Sequence, residues 1–84
     1  MYVFLEEDDF DTPSDHFVPR EKLRKEMERR SLRPPTEDEW RCFCYDYRSP
    51  APVVFYRRDE MCVAGNPFCH TGEKKKFLYL AIAP

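Results

Sequence analysis

The segment FLYLAIA, residues 77–83, decides the fold of this 84-residue chain. It has the clearest strand pattern in the sequence, and successive side chains of a strand point to opposite faces of a sheet. Both faces are apolar here: Phe77, Tyr79 and Ala81 on one, and Leu78, Leu80 and Ile82 on the other. A strand that is apolar on both faces needs cover on both, so residues 77–83 are expected in the centre of a sheet.

Two more strands are expected around this centre. Residues 1–5 (MYVFL) are aromatic and β-branched and are apolar on both alternating faces. Residues 53–58 (VVFYRR) follow a proline-rich break and carry the same composition. Residues 61–64 form an optional fourth strand that pairs back on residues 53–58. The sheet therefore has three to four strands, antiparallel or mixed.

A first helix is predicted over residues 19–31. Pro19 suits the first helical turn, where its missing N–H would be unpaired in any case. Oppositely charged side chains four residues apart then recur along the segment, for example Glu21 with Lys25, and such pairs support an exposed helix. Leu23 and Met27 alone offer a buried stripe. This helix is expected to show most of its circumference to solvent or to a partner.

A second helix is predicted from residue 37 to residue 48. Thr36 and Glu39 spell a capping box, in which each side chain satisfies a backbone N–H of the other's residue. An apolar stripe follows at helical spacing: Trp40, Phe43, Cys44 and Tyr47. The competing strand interpretation alternates the same residues between two faces. Helix is preferred because the capping signal is independent of the periodicity.

These elements predict an α+β fold: a small antiparallel or mixed sheet of three to four strands with two helices packed on one face. Residues 1–84 are expected to form a single domain, with an acidic loop at 6–17 and an irregular loop region at 59–76. Two slim helices offer less apolar cover than such strands require. Either the chain forms a homodimer, or an aromatic patch or sheet edge is its working surface. The alternative is that loops fold back over the sheet.

The charges are segregated although the formal net charge is only −2. Residues 1–17 carry six acidic side chains and no Lys or Arg, whereas residues 18–33 are rich in both. The acidic run could dock in a basic, apolar-lined groove of a protein partner, imitate the charge of DNA, or lie across the basic helix as an internal clasp, although such a run is more often merely solvated. The partner-binding candidates are Glu6, Glu7, Asp8, Asp9, Phe10, Asp11, Arg29 and Arg30.

Nucleic-acid binding is the alternative function. The basic helix at residues 20–33, together with residues 57–58 and 74–76, could contact phosphates. Four nearby aromatic residues could stack on single-stranded bases: Phe55, Tyr56, Phe77 and Tyr79. Acidic residues interspersed along the helix argue against a strong phosphate-binding surface.

The cysteines raise the question of a structural zinc ion. Zinc prefers the ligand types present in Cys44, Cys62, Cys69 and His70. Their spacing does not match that of a zinc knuckle, and buried free thiols are the alternative. A thiol nucleophile needs a histidine base, and His70 is the candidate that could approach Cys44 or Cys62. No glycine-rich phosphate loop or serine elbow is present, so the chain is not expected to be an enzyme.

The expected cellular location rests on two kinds of segment that are not visible in the sequence. No signal peptide and no apolar run of membrane-spanning length are visible, so a cytoplasmic, reducing environment and no membrane contact are expected. The leading hypothesis is a non-enzymatic protein-binding module, of the adaptor or inhibitor kind that viruses and phages direct at host machinery. The alternatives are the nucleic-acid binder and an enzyme that depends on zinc or a thiol.

Overall fold

The computed structural model describes residues 1–10, 17–48 and 51–84. The described elements are β1 (Tyr2–Glu6), a 3-10 turn (Glu7–Asp9), α1 (Arg20–Arg29), α2 (Glu37–Asp46), β2 (Val53–Arg57), β3 (Glu60–Ala64) and β4 (Leu78–Ile82). This confirms the α+β class and the helical interpretation of residues 37–48. It also confirms that residues 61–64 pair back on the preceding strand, inside the region that was expected to be irregular.

The sheet is mixed, with strand order β1-β4-β2-β3. β4 lies in the interior, as its two apolar faces predict, and pairs antiparallel with β1 along its whole length. β2 and β3 form an antiparallel hairpin. The hairpin joins β4 through a short parallel contact, in which Val53 lies opposite Leu78 and Val54 opposite Tyr79. β1 and β3 are therefore the outer strands.

The backbone of Arg33 takes the place of β2 beside the end of β4. Its N–H donates to the Ile82 oxygen at 3.0 Å, and the Ile82 N–H donates back to the Arg33 oxygen at 2.7 Å. The linker between the two helices thus completes the pairing of the central strand, as a buried backbone requires. No described helix has the length and apolar content needed to span a membrane.

The two helices lie on opposite faces of the sheet, which corrects the prediction that both pack on one face. One buried cluster joins Leu23 and Met27 of α1 to Tyr79. The other joins Phe43 of α2 to Leu80. Because Tyr79 and Leu80 are successive residues of one strand, their side chains point to opposite faces. Strands that are apolar on both faces require cover on both, and one helix serves each.

Backbone and side-chain hydrogen bonds fix the chain on the face covered by α1. The Val18 N–H donates to the Tyr79 hydroxyl at 3.0 Å, and the Tyr56 hydroxyl donates to the Val18 oxygen at 2.7 Å. Burial raises the pKa of Tyr79, so its hydroxyl stays neutral and available to accept. These contacts hold residues 17–19 against the sheet immediately before α1 begins.

α2 begins at the capping box that the sequence predicts. The Glu39 N–H donates to Thr36 Oγ1 at 3.2 Å, and the Thr36 N–H donates to Glu39 Oε1 at 2.9 Å. The Arg33 guanidinium also donates two hydrogen bonds to the Glu39 carboxylate, with nitrogen to oxygen distances of 2.7 and 2.9 Å. The Arg33 guanidinium and the Thr36 N–H together lower the pKa of Glu39 to about 2. Glu39 therefore ties the start of α2 to the linker beside β4.

Candidate partner-binding surface

Two residues of the acidic run are part of the core, which corrects their assignment to a docking segment. Phe10 is 8% exposed and Glu7 is 6% exposed. The Glu7 carboxylate pairs with Lys74 and accepts a hydrogen bond from the Phe77 N–H at 3.1 Å. The Lys74 ammonium also lies 4.5 Å from the centre of the Phe77 ring, a cation–π contact. Glu7 and Phe10 are therefore unavailable to a partner.

The remaining described acids partly form the internal clasp. Asp9 reaches α1, where its carboxylate lies 3.5 Å from Arg30. Asp8 pairs instead with Lys76 at 2.8 Å, so the clasp closes mainly on residues 74–76 and not on the helix. The Asp9 carboxylate also accepts the Glu6 N–H at 2.9 Å, which turns the chain away at the end of β1. Asp11 lies outside the described residues.

Arg29, the last residue of α1, and Arg30, which follows it, are the basic partner-binding candidates, and both are paired with a carboxylate of α1. Both contact the carboxylate of Glu26, Arg30 at 2.8 Å. The hydrogen bond from Arg29, and to a smaller extent that from Arg30, lowers the pKa of Glu26 to about 2. The Arg29 side chain is exposed, whereas the shared Glu26 side chain is 17% exposed and that of Arg30 34%, so the two arginines offer a partner no unpaired charge.

The aromatic residues proposed to stack on bases are not at the surface. Phe55, Phe77 and Tyr79 are buried, and Tyr56 is half-buried with its hydroxyl bonded to Val18. A base can stack only on a ring whose face is accessible. The sheet therefore offers no stacking platform at these four positions.

The zinc candidates are split between two places. Cys44 of α2 is half-buried, and burial together with the nearby Cys62 raises its pKa. Cys69 and His70 are exposed in the loop that follows β3. Among the described residues, no group of three or more His, Cys, Asp or Glu side chains is arranged to hold a metal ion. The zinc site stays a prediction.

Three exposed aromatic side chains lie on β1 and α2. Tyr45 is 80% exposed on α2, and Tyr2 and Phe4 of β1 are 45% and 41% exposed. The buried ring of Phe43 supports the two β1 rings: its centre lies 5.3 Å from that of Tyr2 and 5.9 Å from that of Phe4. Tyr47 stacks on the same ring at 4.7 Å. These five residues are called the aromatic surface below.

Two shallow depressions connect the parts of the aromatic surface. One lies between Tyr2 and the α2 residues Cys42 and Asp46. The other runs along α2 from Arg41 past Tyr45 and shares Cys42 and Asp46 with the first. The depressions thus connect the exposed rings of Tyr2 and Tyr45 along one side of α2, with charged side chains at the border.

The sequence already carried a signal for Tyr45. In a helix each residue advances by about 100°, so Tyr45 lies on the side opposite the stripe formed by Trp40, Phe43 and Tyr47. A large aromatic residue on the polar side of an amphipathic helix has no core to fill. Tyr2 and Phe4 gave no such signal, because their exposure depends on where α2 ends over the sheet.

No family model matches this chain, and neither a curated protein nor a solved structure does so. The chemistry of the aromatic surface is therefore the basis on which a function is inferred.

Proposed function

We propose that this chain is a non-enzymatic protein-binding module, an adaptor or inhibitor, that docks its partner on the aromatic surface. The observation that carries the proposal is the 80% exposure of Tyr45 on a surface that Cys42 and Asp46 connect to the half-exposed ring of Tyr2. Contiguous apolar patches on small domains mark interaction sites. Tyrosine is also enriched among the residues that dominate binding energy, because it buries a large ring and keeps a hydroxyl to bond.

The border of the aromatic surface suits a protein partner. Arg41 and Asp46 carry opposite charges on either side of Tyr45. A protein interface typically has an aromatic centre and a polar rim of mixed charge. A phosphate backbone, in contrast, favours an excess of positive charge, which this border lacks.

Two observations favour protein binding over the alternatives. On α1, Arg20 pairs with Asp59 of the turn between β2 and β3, and Arg24 pairs with Glu21 of the same helix, at 3.3 Å each, so carboxylates of this chain already bind part of the helix's positive charge. The pKa of Cys44 is raised, the wrong direction for a thiol nucleophile, which works as a thiolate.

Site-specific photocrosslinking tests the proposal. A benzophenone amino acid replaces Tyr45 in one variant and Lys25 in a matched control, since Lys25 is exposed on α1 at the other face of the sheet. In cells that express the chain, we expect a discrete protein adduct from position 45 and none from position 25. Equal adducts at both positions would contradict the proposal, and a nuclease-sensitive adduct at position 45 would favour nucleic acid.

Affinity measurements on the crosslinked partner then sharpen the result. We expect Tyr45→Ala to weaken binding at least about tenfold, which corresponds to about 1.4 kcal/mol, whereas Lys25→Ala leaves it unchanged. Binding should change little with ionic strength, because an apolar interface releases few counterions. Unchanged affinity in Tyr45→Ala would remove the aromatic surface from the interface.

A further inference from the structure

We infer that the free edge of β1 binds a second copy of this chain, antiparallel, with Tyr2 of each copy opposite Phe4 of the other. This inference concerns the protein on its own and does not depend on the partner proposed above. It rests on which backbone groups of β1 are open, on how the edge ends, and on the side chains that the pairing would cover.

Hydrogen bonds to β4 leave alternate residues of β1 facing outward. The Ala83 N–H donates to the Met1 oxygen at 2.9 Å, so this is a hydrogen-bonded pair of the antiparallel ladder. Such pairs alternate with non-bonded pairs along the ladder. Val3 and Leu5 are therefore bonded to β4, whereas the N–H and C=O groups of Tyr2, Phe4 and Glu6 point to the open edge.

Asp9 closes one end of this edge. Its carboxylate accepts the Glu6 N–H at 2.9 Å, so within the described residues 1–10, 17–48 and 51–84 the open donors of β1 are those of Tyr2 and Phe4. An antiparallel second copy related by a two-fold axis at Val3 places each Tyr2 opposite the other copy's Phe4. Every open donor and acceptor of these two residues then finds a partner. A register centred on Phe4 would instead require the Glu6 N–H, which is already bonded.

The side chains agree with this register. Tyr2 and Phe4 point to the same face of β1, where they are 45% and 41% exposed, and directly opposed aromatic residues stabilise antiparallel pairs. In this register no charged side chain of β1 lies opposite a like charge, because the first charged residue of the strand, Glu6, lies beyond the paired segment. Exposed edge strands usually carry a lysine, a proline or a bulge that prevents pairing, and residues 2–5 carry none.

The two-fold axis also has a consequence for the aromatic surface. Opposed side chains of an antiparallel pair point to the same face of a sheet. Both copies of α2 therefore lie on one face of the continuous sheet, with the Tyr2 and Phe4 rings of both chains between them. Symmetric pairing of one patch with itself is the usual form of a homodimer interface.

Two double variants test both the dimer and its register. Tyr2→Lys with Phe4→Glu places opposite charges across the proposed pair, whereas Tyr2→Lys with Phe4→Lys places like charges there. Sedimentation of the purified protein over a wide range of concentration should show a dimer for the unmodified chain and for the lysine–glutamate variant. We expect a dissociation constant at least about tenfold higher for the double-lysine variant.

Each other outcome overturns the inference. A monomer at every concentration excludes the second copy and leaves the edge open to a strand from another protein. A dimer that survives in the double-lysine variant lies on another surface, and equal loss in both variants excludes this register. If a variant fails to fold, exchange of the Phe4 amide hydrogen in the unmodified chain decides: protection must increase with protein concentration. An adduct between position 45 and a different protein is independent of these results, whereas an adduct with a second copy of this chain counts for the dimer and not for the proposed function.

Discussion

The two faces of the sheet are built from the same strands but reach different degrees of closure. On the face of α1, Leu23, Met27 and Tyr79 are at most 5% exposed. On the face of α2, Phe43 is equally buried, yet Tyr2 and Phe4 beside it remain about half open. The alternation of side chains along β1 explains why one strand contributes to both faces. Val3 and Leu5 pack against the core under α1, whereas Tyr2 and Phe4 point to the other face and stay exposed. One strand can thus serve stability and binding at once.

Loops account for the difference between the faces. Phe10 of the acidic run and Val18, just before α1, are buried in the cluster that contains Leu23 and Met27, so both parts of the chain fold back over that face. Loops that fold back over the sheet were the alternative to an exposed binding surface. On the face of α1 that alternative is observed. The buried members of the cluster under α2 are Phe43, Val53 and Leu80. The rings of Tyr2 and Phe4 on the outer strand β1 lie beside this cluster and stay exposed.

The largest expected effect separates a residue of the closed face from one of the aromatic surface. Met27→Ala removes a side chain that is 2% exposed and leaves a cavity under α1, so we expect the free energy of unfolding to fall by about 2–5 kcal/mol. Tyr45→Ala should change it by no more than about 0.5 kcal/mol, because the ring is 80% exposed. Urea unfolding followed by circular dichroism measures both. Equal losses would show that Tyr45 belongs to the core.

A smaller effect tests the hydrogen bonds that close the α1 face. Tyr79→Phe deletes the hydroxyl that accepts the buried Val18 N–H, and an unsatisfied buried donor costs about 1–3 kcal/mol. Tyr56→Phe is the matched control, because its half-buried hydroxyl donates to the oxygen of the same residue and should cost about 0.5–1.5 kcal/mol. Exchange of the Val18 amide hydrogen should accelerate in Tyr79→Phe only. The reverse order of losses would mean that water reaches Val18 beside Tyr79.

Sequence patterns located the elements of this fold better than their arrangement. The capping box at Thr36 and the apolar faces of residues 77–83 are local signals, and both were correct. Which face each helix covers depends on long-range packing, and the prediction failed there. Glu7 shows the same limit: its neighbours in sequence are acidic and exposed, but Lys74 and the Phe77 N–H, distant in sequence, draw it into the core. Charge alone cannot reveal such a partner.

The smallest expected effect concerns the acids that anchor the two helices. The pKa of Glu39 beside α2 and that of Glu26 on α1 are both lowered from 4.5 to about 2. A carboxylate with a lower pKa in the folded chain stabilises the fold above its unfolded pKa, and that contribution is lost as the pH falls. We therefore expect the urea midpoint to decline between about pH 4.5 and about pH 2. Glu39→Gln should lower the midpoint at pH 7 and flatten this decline.

Glu26→Gln is the matched variant for the other helix, and comparison of the two shows whether the faces are anchored separately. Glu39 binds Arg33 and Thr36 next to α2, whereas Glu26 binds Arg29 and Arg30 within α1. Because the two sites share no partner, their effects should add in the double variant. Amide exchange should accelerate at the start of α2 in Glu39→Gln and at the end of α1 in Glu26→Gln. If amide exchange accelerates in both helices in either variant, the two faces of the sheet open together. The faces would then differ in the exposure of their side chains and not in local stability.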